Sequence, residues 1–234
     1  CFSLTGSIPS DLFEGCDNLM STRGMFHRCY NLGIGESSTS ISIPNRLFDS
    51  CRDSIQNTSY MFAKCGFAGR IGVGTKPVVG SDGLLANASY ENKGLLAECT
   101  NLLDTSAMFF GCRNLKGAIP EDIFYTRDNL NTYENLTNIS YMFCECYGLG
   151  LSYTSPDISG GNNFRVYGET EIDTGTGLAV KYFIPNDWLS RCLNLTNISY
   201  LFNTVATVTP DWHPTIANEP SCTRNNSDKF ILPD

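Results

Sequence analysis

Apolar and polar positions recur along this chain in one short pattern. A large apolar residue is followed three positions later by cysteine and then by leucine, as in Phe13-Cys16-Leu19 and Phe26-Cys29-Leu32. The other complete copies are Phe109-Cys112-Leu115 and Phe143-Cys146-Leu149, and the degenerate ones are Phe48-Cys51-Ile55, Phe62-Cys65-Phe67, Leu96-Cys99-Leu102 and Leu189-Cys192-Leu195. This recurrence predicts a stack of similar coils, each burying the same apolar corner against its neighbour.

The copies alternate between two forms. The first carries Ile-Pro ahead of its apolar pair, as in Ile8-Pro9-Ser10-Asp11-Leu12-Phe13. The second carries a hydroxyl residue and then Met-Phe, as in Thr58-Ser59-Tyr60-Met61-Phe62. One copy of each form makes a unit, and the cysteine pattern predicts about five units that differ in length because residues are inserted.

Both forms predict short helices. Pro9 suits the first helical position, where its missing N–H costs nothing. Thr58 or Ser59 can cap the helix of the second form, and Gly66 can end it. Spacings of about one turn then predict an inward face in the first form, made of Ile8, Leu12, Phe13 and Cys16. In the second form the inward residues are Met61, Phe62 and Cys65.

The repeated motif resembles the leucine-rich repeats of the BspA-like type, over about residues 1–205. This resemblance implies an α/β fold: a leucine-rich-repeat-like solenoid of about five coils with short helices, short extended segments and two insertions. In that family the repeats occur in bacterial surface adhesins and in virion-associated proteins of tailed phages. It therefore implies binding or scaffolding and not a reaction, so we expect no enzyme.

Two insertions and a terminal segment depart from the repeat. The insertions cover about residues 69–93 and 150–182, and residues 206–234 are expected to cap the last coil. Turn residues at 173–177 lie between two β-prone runs, which predicts a β-hairpin in the second insertion. The alternative is that this hairpin only packs on its own coil. The candidate partner-binding residues of the insertion are Arg165, Tyr167, Glu169, Glu171, Lys181 and Tyr182.

Composition argues against two kinds of partner, nucleic acid and the membrane interior. The net charge is -8 and no Lys/Arg cluster occurs, so nucleic acid is not an expected partner. No apolar run approaches the roughly 20 residues needed to cross a bilayer, so we expect no membrane insertion. Cys1 aligns with Cys112 in the repeat, which suggests that the chain opens within a coil of a longer protein. A lipidated amino-terminal cysteine is the alternative for Cys1.

Eleven cysteines require an interpretation. Nine of them occupy the same repeat position, where a small buried hydrophobe is needed, and free cysteine behaves as one. We therefore expect reduced, buried thiols, with partial disulfide pairing as the alternative. Cys144-Glu145-Cys146 lacks a second pair or a histidine at zinc-like spacing, so neither a metal nor a cofactor is expected.

The remaining polar motifs favour structure over chemistry. The two histidines, His27 and His213, lie in a repeat position expected to face solvent and in the predicted cap. The repeated phrase Asn-Leu-Thr-Asn-Ile-Ser contains glycosylation sequons, but its Asn and Ser more simply serve as turn and cap residues. These residues are Asn135, Asn138, Asn194 and Asn197.

The first functional hypothesis is a virion-associated protein of a tailed phage, in capsid decoration, a head fibre or the tail. It would lie on the virion surface and contact other virion proteins or a host receptor or glycan, with a homo-oligomer possible. The alternative is an adhesin of the bacterial cell surface. A third hypothesis, an enzyme hidden in the insertions, has no catalytic motif in its support.

Overall fold

The computed structural model describes residues 2–37, 39–73, 93–117, 119–120, 122–126, 132–146, 149, 189 and 191–201, and the backbone of 170–172 and 179–181. A parallel pair joins β1 (Ile41–Ile43) to β2 (Arg70–Ile71), and an antiparallel pair joins β3 (Thr170–Ile172) to β4 (Ala179–Lys181). A 3₁₀ helix spans Asp49–Cys51. The other described residues form turns, bends and isolated parallel bridges.

Five equivalent segments lie side by side and carry the second form of the repeat. We call them rung segments: residues 21–29, 57–65, 104–112, 138–146 and 197–201. Parallel bridges connect them in chain order, from Ser21 to Asn57, Asp104, Asn138 and Asn197. Residues far apart in the sequence are thus neighbours along one ladder, and the leucine-rich-repeat-like solenoid itself stays a prediction.

Backbone hydrogen bonds within and between rung segments alternate along each segment. The N–H of Met61 donates to the Thr58 carbonyl of its own turn at 3.1 Å, whereas the N–H of Phe62 donates to Met108 of the next segment at 2.9 Å. Thr58 donates in the same way to Asp104. The same alternation holds in the segments before and after, so nearly every backbone donor has a partner without a regular helix or strand.

Where the sequence predicts short helices, the described residues form successive turns. The N–H of Leu12 bonds to the Pro9 carbonyl three residues back, and both Leu12 and Cys16 are exposed. Positive φ angles interrupt any helix in the rung segments, because they reverse the backbone direction. Non-glycine residues of the rung segments with such angles are Arg28, Tyr60, Lys64, Ala107, Tyr141, Glu145 and Tyr200, and Glu98 has one outside them.

Gly66, predicted to end a helix, has a different role. A Cβ at this position would lie 2.1 Å from the Tyr30 carbonyl oxygen of the preceding unit. Glycine is therefore required for close approach of two backbones and not for a helix end.

Phenylalanine rings form the centre of one continuous core. Phe62 stacks between Phe26 and Phe109, with ring centroids 5.8 Å from each, and Phe109 stacks on Phe143 at 5.4 Å. Phe62, Phe109 and Phe143 are fully buried in one cluster that also contains Phe13 and Phe48. Ring stacking adds about 0.5–1.5 kcal/mol per pair beyond the area that is buried.

The repeat cysteines pack beside these rings as free thiols. Burial is confirmed for seven of the eight described repeat cysteines, Cys16 being the exposed one. The thiols of Cys65, Cys112 and Cys146 each donate to a phenylalanine carbonyl of the preceding rung segment at 3.0 Å. Cysteine thus supplies both a small apolar body and a weak donor.

Asparagine and aspartate begin the rung segments with side-chain turns. Asn57 Oδ1 accepts from the N–H and the hydroxyl of Ser59, at 2.9 and 2.7 Å. The equivalent N–H bonds to Asn138 and Asn197 come from Ser140 and Ser199, at 3.1 Å each. The predicted turn role of these two sequon asparagines is therefore confirmed.

We expect Phe62→Ala to lower the free energy of unfolding by about 3–5 kcal/mol, because it opens a cavity between two stacked rings. Urea denaturation measures the change. Phe2→Ala is the matched control, since Phe2 is 67% exposed and should change stability by less than about 1 kcal/mol. Equal losses in the two variants would contradict the stacked core.

We expect Thr58→Val to raise the free energy of unfolding by about 1–2 kcal/mol. The Thr58 hydroxyl is buried without a hydrogen-bond partner, and Ile139 and Ile198 occupy the equivalent positions of later rung segments. Ser59→Ala is the contrasting control, because it removes the bond to Asn57 and should cost about 0.5–1.5 kcal/mol. A loss of stability in Thr58→Val would refute this view of the site.

Stability should fall at alkaline pH. Burial raises the pKa of Cys99 and of Cys112 from 9.0 to about 12. The folded state therefore holds protons that the unfolded state releases, so stability is intact below pH 9 and decreases as pH rises toward 12. Each such thiol contributes about 1.4 kcal/mol per pH unit in that window. Denaturation curves between pH 8 and 11 measure how steeply the free energy of unfolding falls with pH. Cys112→Ala should make this fall less steep, because one buried thiol is removed. An unchanged slope in that variant would contradict the assignment.

Candidate functional site

A line of aromatic and cationic side chains follows the outer side of the rung segments. We call it the aromatic row. Tyr60 and Tyr141 are exposed, and Phe110, Tyr200 and Lys64 are half-buried. The members of the row are Arg23, His27, Tyr60, Lys64, Phe110, Tyr141 and Tyr200. Aromatic side chains offer large, rigid contact area, and such exposed residues in a line are typical of binding surfaces.

Successive members of the row contact one another across the rung segments. The Arg23 guanidinium lies 5.9 Å from the centre of the Tyr60 ring, and the Lys64 ammonium lies 5.3 Å from the centre of the Phe110 ring. Both distances allow cation–π attraction. Farther along the ladder, Tyr141 and Tyr200 stack with ring centroids 4.8 Å apart. Phe110 meets Tyr141 edge-on at 6.3 Å, so ring contacts continue over the last three rung segments.

Backbone conformation explains why these residues lie outside the core. Tyr60, Tyr141 and Tyr200 follow the serine of each rung segment and have φ angles of 58°, 59° and 56°. In the second and fourth rung segments the next two residues, Met61-Phe62 and Met142-Phe143, are the core pair. The left-handed turn thus separates an exposed tyrosine from the buried residues that come directly after it.

The positive end of the row lies in the first two rung segments. Arg23 and Arg28 are exposed there, and the His27 ring lies 6.0 Å from that of Tyr60. Partial burial and the nearby Arg28 and Lys64 cations lower the pKa of His27. The imidazole is therefore neutral at pH 7, and the positive charge comes from the arginines and Lys64. In the fourth rung segment Glu145 pairs with Arg113 at 2.7 Å.

The structure places only part of the predicted binding set. The backbone of Glu171 lies in β3 opposite Val180, and that of Lys181 lies in β4 opposite Thr170. Nothing further of their side chains is described. Arg165, Tyr167, Glu169 and Tyr182 lie outside the described residues, as do His213 and the segment 206–234. A binding role for this insertion stays a prediction.

A second candidate surface is a cleft of ≈ 300 Å³ between the first two copies of the Ile-Pro form. Asp11 and Glu14 line one side, and Arg46 and Asp49 line the other. Arg46 and Asp49 already bond to each other at 2.9 Å, and Arg52 bonds to Asp49 at 2.6 Å. The charges at this cleft are thus largely engaged within the protein, which makes the aromatic row the stronger candidate.

Other kinds of site receive no support within the described ranges. No group of three or more His, Cys, Asp or Glu side chains there could hold a metal ion. No helix in the same part of the chain has both the length and the apolar character needed to cross a membrane. Comparison with protein-family models, curated proteins and solved structures finds no match to this chain.

Sequence reasoning missed the aromatic row, although one signal for it was present. Tyrosine follows serine in three copies of the repeat, at Tyr60, Tyr141 and Tyr200. In the predicted short helices, the residues of the row that belong to one copy would point in different directions around the helix axis. The parallel ladder instead aligns them on one side, and that alignment depends on bridges between residues 34 to 59 positions apart in the sequence.

Proposed function

We propose that this chain is a non-enzymatic binding and structural protein, built as a leucine-rich-repeat-like solenoid of about five coils. In this proposal it belongs to a tailed-phage virion and contacts neighbouring virion proteins or a host surface. The five rung segments joined by parallel bridges support the repeat architecture. The aromatic row is the observation that carries the binding function.

The row suits recognition of a macromolecule because it combines flat rings with positive charge. Tyrosine and arginine are enriched at the centres of protein interfaces, where they supply most of the binding energy. Tyr60 and Tyr141 project into solvent, so they are available to a partner without rearrangement of the backbone. The rings of the row are already held by stacking and cation–π contacts, which reduces the entropy lost on binding.

The buried thiols favour the virion hypothesis over an extracellular adhesin. The nine described cysteines are free, and eight of them are buried. Burial raises the pKa of Cys51 to about 11 and that of Cys144 to about 12, so these thiols are poor nucleophiles for disulfide exchange at neutral pH. A chain that folds in a reducing cytoplasm before assembly fits this pattern.

The triple variant Tyr60→Ser/Tyr141→Ser/Tyr200→Ser should weaken partner binding by about 30-fold or more, because even one tyrosine at a binding hot spot contributes about 2 kcal/mol. Binding is measured against a glycan array, intact bacterial cells and purified phage particles. Tyr30→Ser is the control, since Tyr30 is exposed and stacks on Phe2, and neither residue is a member of the row. Unchanged binding by a folded triple variant would refute the proposal.

A further inference from the structure

Within each rung segment, the peptide units that bond to neighbouring segments after the first residue all point the same way. In the second rung segment, the carbonyls of Asn57, Ser59, Met61 and Ala63 accept from the preceding segment. The N–H groups of the same peptide units, at Thr58, Tyr60, Phe62 and Lys64, donate to the following segment. A trans peptide holds its C=O and N–H in opposite directions. Every rung segment therefore has an acceptor side facing the chain start and a donor side facing the chain end.

The first rung segment has its acceptor side uncovered. Its N–H groups at Thr22, Gly24, Phe26 and Arg28 donate to the second segment at 2.8–2.9 Å. The carbonyls of the same peptide units belong to Ser21, Arg23, Met25 and His27, and they face away from the stack. Among the described residues, none of these four carbonyls accepts a backbone hydrogen bond.

Side chains on this edge are exposed where their equivalents are buried. Met25 is 46% exposed, whereas the equivalent Met61 and Met108 are fully buried. Phe26 is only partly buried, although Phe62 and Phe109 are enclosed between rings. The ring of Phe26 contacts Phe62 on one side, and no described ring covers its other side.

The edge has a specific polarity that excludes two common occupants. The edge of an ordinary β-strand presents N–H and C=O groups in alternation. If such a strand paired with this edge, half of its edge groups would be carbonyls facing the carbonyls of the rung segment. The same edge of a second copy presents carbonyls in the row from Ser21 to His27, and two rows of carbonyls cannot pair with each other. Only a segment that turns a row of N–H groups to one side matches four carbonyls in line.

We propose that this edge docks a polypeptide segment of the repeat's own type, Asn-x-Ser-x-Met-Phe-x-x. Such a segment would donate four N–H groups to Ser21, Arg23, Met25 and His27 and would stack an aromatic ring on Phe26. Cys29 matches this occupant as well. Its equivalents Cys65, Cys112 and Cys146 donate to the phenylalanine carbonyl of the segment before, and Cys29 has no such acceptor within the described residues.

The test adds eight residues, Asn-Thr-Ser-Tyr-Met-Phe-Ala-Lys, directly before Cys1 of the full chain. This is the sequence of residues 57–64, and the repeat register places Cys1 in the position that Cys65 holds after it. The matched control is the same extension with Ser in place of its Met and Phe. Hydrogen exchange followed by mass spectrometry reports on the added amides, and thermal denaturation reports on the whole protein.

Docking should slow exchange of the added amides by about tenfold or more relative to the control extension. The melting temperature should rise by roughly 2–8 °C over the control. Added amides that exchange as fast as those of the control would overturn the proposal. A dimer of the unextended chain that persists in the extended protein while the added amides stay unprotected, seen by sedimentation, would also overturn it, because a second copy would then occupy the edge instead of the added segment.

Discussion

Hydrogen bonds between successive rung segments are the interaction on which the other features of this structure depend. They hold equivalent residues in register from one segment to the next, as the bridges from Asn57 to Asp104 and from Asp104 to Asn138 illustrate. Because the register is fixed, phenylalanines of neighbouring segments stack at 5.4–5.8 Å. The same register brings each cysteine thiol within reach of the preceding phenylalanine carbonyl. Backbone pairing, ring stacking and thiol bonding therefore reinforce one another at every step.

This arrangement has a conformational cost that a single segment could not bear. Left-handed backbone at a non-glycine residue costs about 1–2 kcal/mol, and residues such as Tyr60 and Tyr141 adopt it in the middle of their segments. Burial of one phenylalanine contributes about 1.5–3 kcal/mol, but only when a neighbouring segment covers the ring. The turns are consequently stable as members of a stack, and stability should extend cooperatively along it.

The sequence allowed the repeat register and most of the buried residues to be predicted, because Phe-x-x-Cys marks the side chains that avoid water. Leu12 and Cys16 are the exceptions, since both were predicted to face inward and are exposed. It did not allow the backbone to be predicted. Apolar residues three and four positions apart fit a helix, yet the same spacing is satisfied by two turns with a left-handed residue at Tyr60 and another at Lys64. The choice between them depends on bonds to residues such as Met108 and Phe110, more than forty positions away. The aromatic row was missed for the same reason, since its alignment exists only between segments.

The left-handed positions have a consequence for how this protein could diversify. The residue after the rung serine, or its counterpart, is Gly24, Tyr60, Ala107, Tyr141 or Tyr200, and the backbone follows one path through all five. Its peptide groups make the bonds of the ladder, so the identity of the side chain matters little to the scaffold. Natural variants should therefore concentrate their differences at these positions. If the aromatic row binds a partner as proposed, its specificity can change under selection while the backbone of the repeat stays constant.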